Sequence, residues 1–179
     1  MQTKEQLLAY SKEELIDLIE LYAKDSLALD GVWFQSIEKK EGMEEAVFHD
    51  CGAWERFTAI EARRIKRFLG LAEHPGLAGL AEALKLRFMA HVVESEITLE
   101  DNVLVYTIRN CPVQMKREKK GLPYHPCKPV GLLEYAGFGK AIDDRITCRC
   151  LSCYPDMTDE SCSCKWEYRL ESAGNKRSE

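Results

Sequence analysis

Glu94-Ser-Glu-Ile-Thr-Leu-Glu-Asp-Asn-Val-Leu-Val-Tyr-Thr-Ile-Arg109 divides this chain of 179 residues into two kinds of sequence. Glu94 to Leu99 and Val103 to Arg109 are rich in β-branched and aromatic residues and flank Glu100-Asp-Asn102. That pattern predicts a β-hairpin. Before it, apolar residues recur at helical spacing; after it, short alternating runs are broken by prolines and cysteines. The class that follows is α+β: an N-terminal helical half packed on a small antiparallel sheet with a C-terminal Cys-rich hairpin. Residues 1–170 are expected to form one such domain, helical over 11–92 and α/β over 93–170. The polar stretch 171–179 is expected to be a disordered tail.

Within the first half, Ser11-Lys-Glu-Glu14 is a capping box, a Ser cap with Glu at the third helical position. Leu15, Ile16, Leu18, Ile19 and Tyr22 follow it at helical steps. A second helix is expected over about 26–40 through Leu27, Leu29, Val32, Trp33 and Ile37, stopped by Gly42. Val47, Cys51, Trp54, Thr58, Ile65 and Phe68 predict one long amphipathic helix over about 43–69, ended by Gly70. Trp33, Trp54 and Phe57 are read as core and His91 as a core group. The turn His74-Pro75-Gly76 opens a fourth helix expected to run to about 92. Beyond the hairpin, Lys116 to Lys120 reads as a short polar helix ended by Gly121, and 129–141 as another. Arg145 to Cys150 and Cys164 to Leu170 complete the sheet.

Composition excludes several classes of function. Hydrophobic residues make up 45% of the chain, enough for a core. A net charge of −5 argues against a nucleic-acid binder, whose affinity rests on neutralising phosphates. No apolar run approaches the roughly 20 residues that span a bilayer. The start Met1-Gln-Thr-Lys-Glu-Gln has no apolar signal core. A cytoplasmic protein without a membrane partner is the expectation.

Against that background the eight cysteines are informative, because thiols in the cytosol stay reduced. Seven of them lie between 111 and 164: Cys111, Cys127, Cys148-Arg-Cys150-Leu-Ser-Cys153, and Cys162-Ser-Cys164. Cys150 and Cys153 have the CxxC spacing that lets two thiolates meet one ion around a tight turn. On a strand, residues i and i+2 share a face, so the returning Cys-x-Cys can aim sulfur at the same centre. Four of the six prolines lie between 112 and 129 and hold the chain around Cys111 and Cys127 in fixed turns. The hairpin can therefore supply three or four sulfurs, with Cys127 or Cys111 completing a set that suits zinc or an iron–sulfur cluster. His125, two residues before Cys127, is a candidate ligand or base. Glu134 is a candidate acid or base facing a pocket.

These residues carry a resemblance. Ala28-Leu-Asp-Gly-Val-Trp-Phe-Gln35, the helix from Trp54-Glu-Arg-Phe57 through Ile60 to Phe68, and the run from Cys127 through Glu134-Tyr135 and Cys150-x-x-Cys153-x-Pro-Asp156 to Cys164-x-Trp-Glu167 resemble the DUF6125 family over most of the chain. The layout is more distantly similar to the L-2-amino-thiazoline-4-carboxylic acid hydrolase family and to vinyl-reductase-type small-molecule-binding domains. The resemblance points to Cys111, Cys127, Cys150, Cys153 and Cys164, with Cys148 and Cys162 as extras, and so implies a metal set of Cys127, Cys150, Cys153 and Cys164 with Cys111 as the spare, reactive thiol. The hydrolase family lacks the full CxxC, a departure on this chain's side. Two functions are thus expected. One is a metal- or iron–sulfur-binding protein with a small-molecule pocket, possible as a homodimer. The other is a hydrolase of a small heterocyclic C–N substrate that uses metal-bound water or a Cys nucleophile, with Cys111, His125 and Glu134 as catalytic candidates.

Overall fold

The computed structural model describes residues 4–171; the rest of the expected tail, 172–179, lies outside them. After a single turn α1 (Lys4–Leu7), the Ser11 cap starts α2 (Lys12–Glu41). Its hydroxyl accepts the Glu14 N–H at 3.1 Å while the Glu14 carboxylate takes the Ser11 N–H at 2.7 Å. The two helices expected over 11–22 and 26–40 are one. The residues between them, Ala23-Lys-Asp-Ser26, include no glycine or proline, so nothing interrupts hydrogen bonding before Gly42 at φ 95°. Next comes α3 (Met43–Phe68), as expected, with Gly70 at φ 62° beyond its end.

α4 (Gly76–Leu84) stops well short of 92, and Phe88–His91 is a separate 3₁₀ turn. The cause is Arg87, 1% exposed, which is drawn into the core between two carboxylates. The turn also puts His91 on the surface, contrary to its expected place in the core. Trp33 and Phe57 likewise stand partly in solvent, at 51% and 37% exposure, whereas Trp54 is buried as expected.

The hairpin forms as expected from β1 (Glu94–Glu100) and β2 (Val103–Asn110). Asp101 and Asn102 have φ of 47° and 59°, the left-handed pair that a two-residue type I′ turn needs. α5 (Pro112–Lys119) and α6 (Cys127–Ile142) precede β3 (Ile146–Cys153) and β4 (Cys164–Leu170). The four antiparallel strands lie in the order β1-β2-β4-β3. Instead of rounding a turn, the CxxC lies within β3, where the register shifts between Cys150 and Ser152. No helix among the described residues is long and apolar enough to cross a membrane.

The helices cover one face of this sheet, with α3 running along α6, and α6 lying on β3 and meeting Trp166 and Tyr168 of β4 at Gly131 and Gly139. The buried cluster joins Trp54, Ala62 and Ile65 of α3 to Phe138 and Ile142 of α6 and Trp166 and Tyr168 of β4. Gly131 makes the close approach of α6 possible. A Cβ there would lie 2.5 Å from Cζ2 of Trp166. Gly131→Ala is therefore expected to cost about 1–3 kcal/mol by overpacking, measured by denaturant unfolding. A stability within about 0.5 kcal/mol of wild type, a margin usual for surface changes, would contradict this packing.

Candidate active site

Above the sheet, a cavity of about 350 Å³ opens between α2, α3, α5 and α6. Its floor is Ile108, Cys164 and Trp166 of the central strands, with Cys153 beside them. The walls are aromatic and acidic: Asp30 and Phe34 of α2, Asp50 and Trp54 of α3, Glu134 and Tyr135 of α6. Two further thiols face in, Cys111 at the cap of α5 and Cys127 at the first residue of α6.

The polar contacts centre on Cys127. His125 Nδ1 lies 3.1 Å from Cys127 Sγ, and its Nε2 lies 3.1 Å from Asp50 Oδ2. A carboxylate can only accept, so Nε2 carries the ring proton and Nδ1 is left to receive the thiol proton. The amide of Gln114 completes the group. Its Nε2 donates to Cys127 Sγ at 3.0 Å and to the His125 carbonyl at 2.7 Å, while its Oε1 accepts the His125 N–H at 3.0 Å.

Local chain features hold this arrangement. The prolines at 123 and 126 fix the segment that presents His125. Arg117, 4% exposed, ties that segment to α2: its Nη1 donates to Glu38 Oε2 at 2.8 Å, its Nη2 reaches the second carboxylate oxygen, and its Nε donates to the Pro123 carbonyl. Phe34 packs on the imidazole at 4.6 Å between ring centres. Both His125 and Asp50 are buried.

Electrostatics keeps the thiol protonated at rest. Burial first, then the neighbouring Cys111 and Cys164, push the Cys127 thiol well above its ordinary range. Its place at the N-terminus of α6 works the other way, as helix amides favour a thiolate. Cys127 thus resembles a serine hydroxyl in a triad, which needs a base at the moment of attack. Burial also lifts Asp30, to about 6, with Asp50 and then Glu134 adding to the shift. Glu134 is raised by its own burial and held partly down by Arg87, whose Nη2 donates to it at 2.7 Å.

Of the expected metal set, Cys127, Cys153 and Cys164 share this cavity, joined by Cys111; Cys150 does not line it. Cys153 pairs with Cys164 across β3 and β4 and interacts with the Cys150 thiol. The imidazole of His125 is paired with Cys127 and not with Cys111, whose N–H instead donates to Ser163 Oγ at 2.9 Å. Cys148 packs away from the cavity beside Tyr168, and burial pushes its thiol up to about 12. Among the described residues, the one group of three metal-ligating side chains within 4.8 Å of one another is His74, Asp143 and Asp144, of which Asp143 is buried and the other two exposed.

Asp30, Asp50 and Gln114 were not singled out by sequence reasoning. A signal existed for Asp50. It lies at four-residue steps between Ala46 and Trp54 in the buried stripe of α3, where an acid needs a partner. Gln114 carried none, since its role depends on contacts with a turn eleven residues away.

The chain belongs to the DUF6125 family, described as a family of unknown function, whose profile matches residues 8–170. No curated protein matches it.

Proposed function

We propose that this DUF6125 member is an enzyme that uses Cys127 as a nucleophile to hydrolyse a carbon–nitrogen bond in a small, largely apolar substrate. The observation that carries this is the relay Cys127–His125–Asp50, with both links at 3.1 Å, on the wall of a cavity of small-molecule size.

The steps follow from the contacts. The Sγ proton moves to Nδ1 of His125 as sulfur bonds to the electrophilic carbon. Asp50 stays anionic and steadies the imidazolium through Nε2–H. Gln114 Nε2–H, 3.0 Å from Sγ, stabilises the sulfur as its proton leaves. The carbon–nitrogen bond breaks as His125 returns the proton to the leaving nitrogen. Water then attacks the sulfur-bound carbon, giving one proton to Nδ1, and the thiol re-forms as the carbon–sulfur bond opens.

A second reading rests on the four thiols around the same cavity. Cys111, Cys127, Cys153 and Cys164 form a donor set suited to zinc or an iron–sulfur cluster. A single zinc ion, with bonds of about 2.3 Å, would draw its sulfurs together. A cluster, with several irons, spreads its ligands wider and asks for less movement. Held by four thiolates, either group would leave no open position for a substrate and would serve as a structural centre or, for a cluster, as an electron carrier.

Anaerobic purification separates the two readings. Protein with no bound metal, in which iodoacetamide labels Cys127 ahead of Cys111, Cys153 and Cys164, is the expected result. About one equivalent of zinc, or the broad visible absorption of a cluster, that protects all four thiols would overturn the nucleophile reading and favour the second.

A further inference from the structure

Among the described residues, three carboxylates and no free cation line the inner part of this cavity. Asp30 extends from α2, Asp50 from α3 and Glu134 from α6. The buried guanidinium behind Glu134 is already committed: Arg87 Nε donates to Glu61 at 2.9 Å and its Nη2 to Glu134. Asp50 is bound to His125 and Glu134 to Arg87, so Asp30 is the carboxylate whose charge has least compensation, with the Trp54 indole as its donor. Lys116 and Lys120 of α5 also border the cavity, but where water and salt screen them. Arg117 is taken up by Glu38.

Aromatic rings surround the acids. Trp54, Phe34 and the stacked pair Tyr135–Trp166, at 4.5 Å between ring centres, offer π faces. Carboxylates among aromatic rings in a largely apolar cavity favour an organic cation. Trp166 is fully buried, lines the cavity, and its indole N–H has no hydrogen-bond partner of good geometry among the described residues, the Cys164 sulfur being its polar neighbour.

We infer that the cavity selects a small cation, a protonated amine or amidine on an apolar body, with its positive nitrogen against Asp30. This deepens the reading of the cavity as a substrate pocket and rests on it. An amidinium carbon between two nitrogens is also a suitable electrophile for the Cys127 thiol. Asp30 is faced by Asp50, Glu134, His125 and Trp54. A bound cation stabilises its ionised form, so affinity is full above about pH 6 and falls as pH drops through that value.

The test is calorimetric titration of the intact protein with benzamidinium and with benzamide, its neutral isostere. At pH 8 the cation is expected to bind about ten- to a hundredfold more tightly, the range of one charge-assisted hydrogen bond. At pH 5 the preference shrinks. Asp30→Asn, checked for folding by circular dichroism, loses it at pH 8. Cys127→Ser keeps it, so cation binding and thiol chemistry can fail separately. Equal affinity for the two probes at pH 8, or an unchanged preference in Asp30→Asn, would overturn the inference.

Discussion

Replacing His125 with glutamine is expected to slow alkylation of Cys127 by about 10²–10⁴-fold at pH 7, the usual contribution of a positioned base. Burial and neighbouring thiols hold Cys127 protonated, so without the imidazole the sulfur must ionise unaided. The variant's rate should therefore climb with pH across the range where the wild-type rate has levelled. Asp50→Asn leaves the ring in place but replaces an acceptor-only carboxylate, 3.1 Å from Nε2, with an amide whose NH2 can donate to that nitrogen and hold the wrong tautomer, and a loss of similar order is expected. Site-resolved mass spectrometry of iodoacetamide labelling measures both effects, with Cys111 as the internal standard. The thiol of Cys111 is also raised by burial but has no imidazole hydrogen-bonded to it. A His125→Gln protein that labels at the wild-type rate would remove the relay from the chemistry.

Arg87→Met is expected to have the largest effect on stability, a loss of about 3–5 kcal/mol at pH 8. The guanidinium, 1% exposed, bridges Glu61 and Glu134 and sits 4.8 Å over the ring of Phe138. Methionine fills similar space but leaves two carboxylates buried without a cation. That loss is a large part of the roughly 5–15 kcal/mol by which domains are stable. The pH dependence has a definite sign. Burial already raises Glu134 above its ordinary value, with Arg87 opposing the shift. Without Arg87 the shift grows, so the deficit is greatest at high pH and shrinks as the carboxyl protonates. Denaturant unfolding at pH 8 and pH 5 measures this. The triple change Glu61→Gln, Arg87→Met, Glu134→Gln should recover most of the loss. Its unpaired charges are gone, and the amide oxygen introduced at position 61 can still accept the Phe88 N–H that Glu61 holds at 3.0 Å. A single variant that loses less than about 1 kcal/mol at pH 8 would show that the network is not buried as described.

How much was legible in the sequence differs between the fold and the site. Local patterns determined the α+β class, the Ser11 cap, α3, the Asp101-Asn102 hairpin and β4, because capping, periodicity and turn conformations depend on residues within a few positions of one another. Cysteine spacing drew attention to the third of the chain that supplies four thiols to the cavity. Which thiols share a space was decided only by tertiary structure: Cys111 faces the cavity and Cys150 does not, because the bulge in β3 and the packing of α6 on the sheet set those directions. The same holds for the relay. Asp50 and His125 are 75 residues apart, and no local pattern states that α3 will lie along α6. Local rules chose the elements; long-range burial, acting on Arg87, Gly131 and Asp50, placed the chemistry.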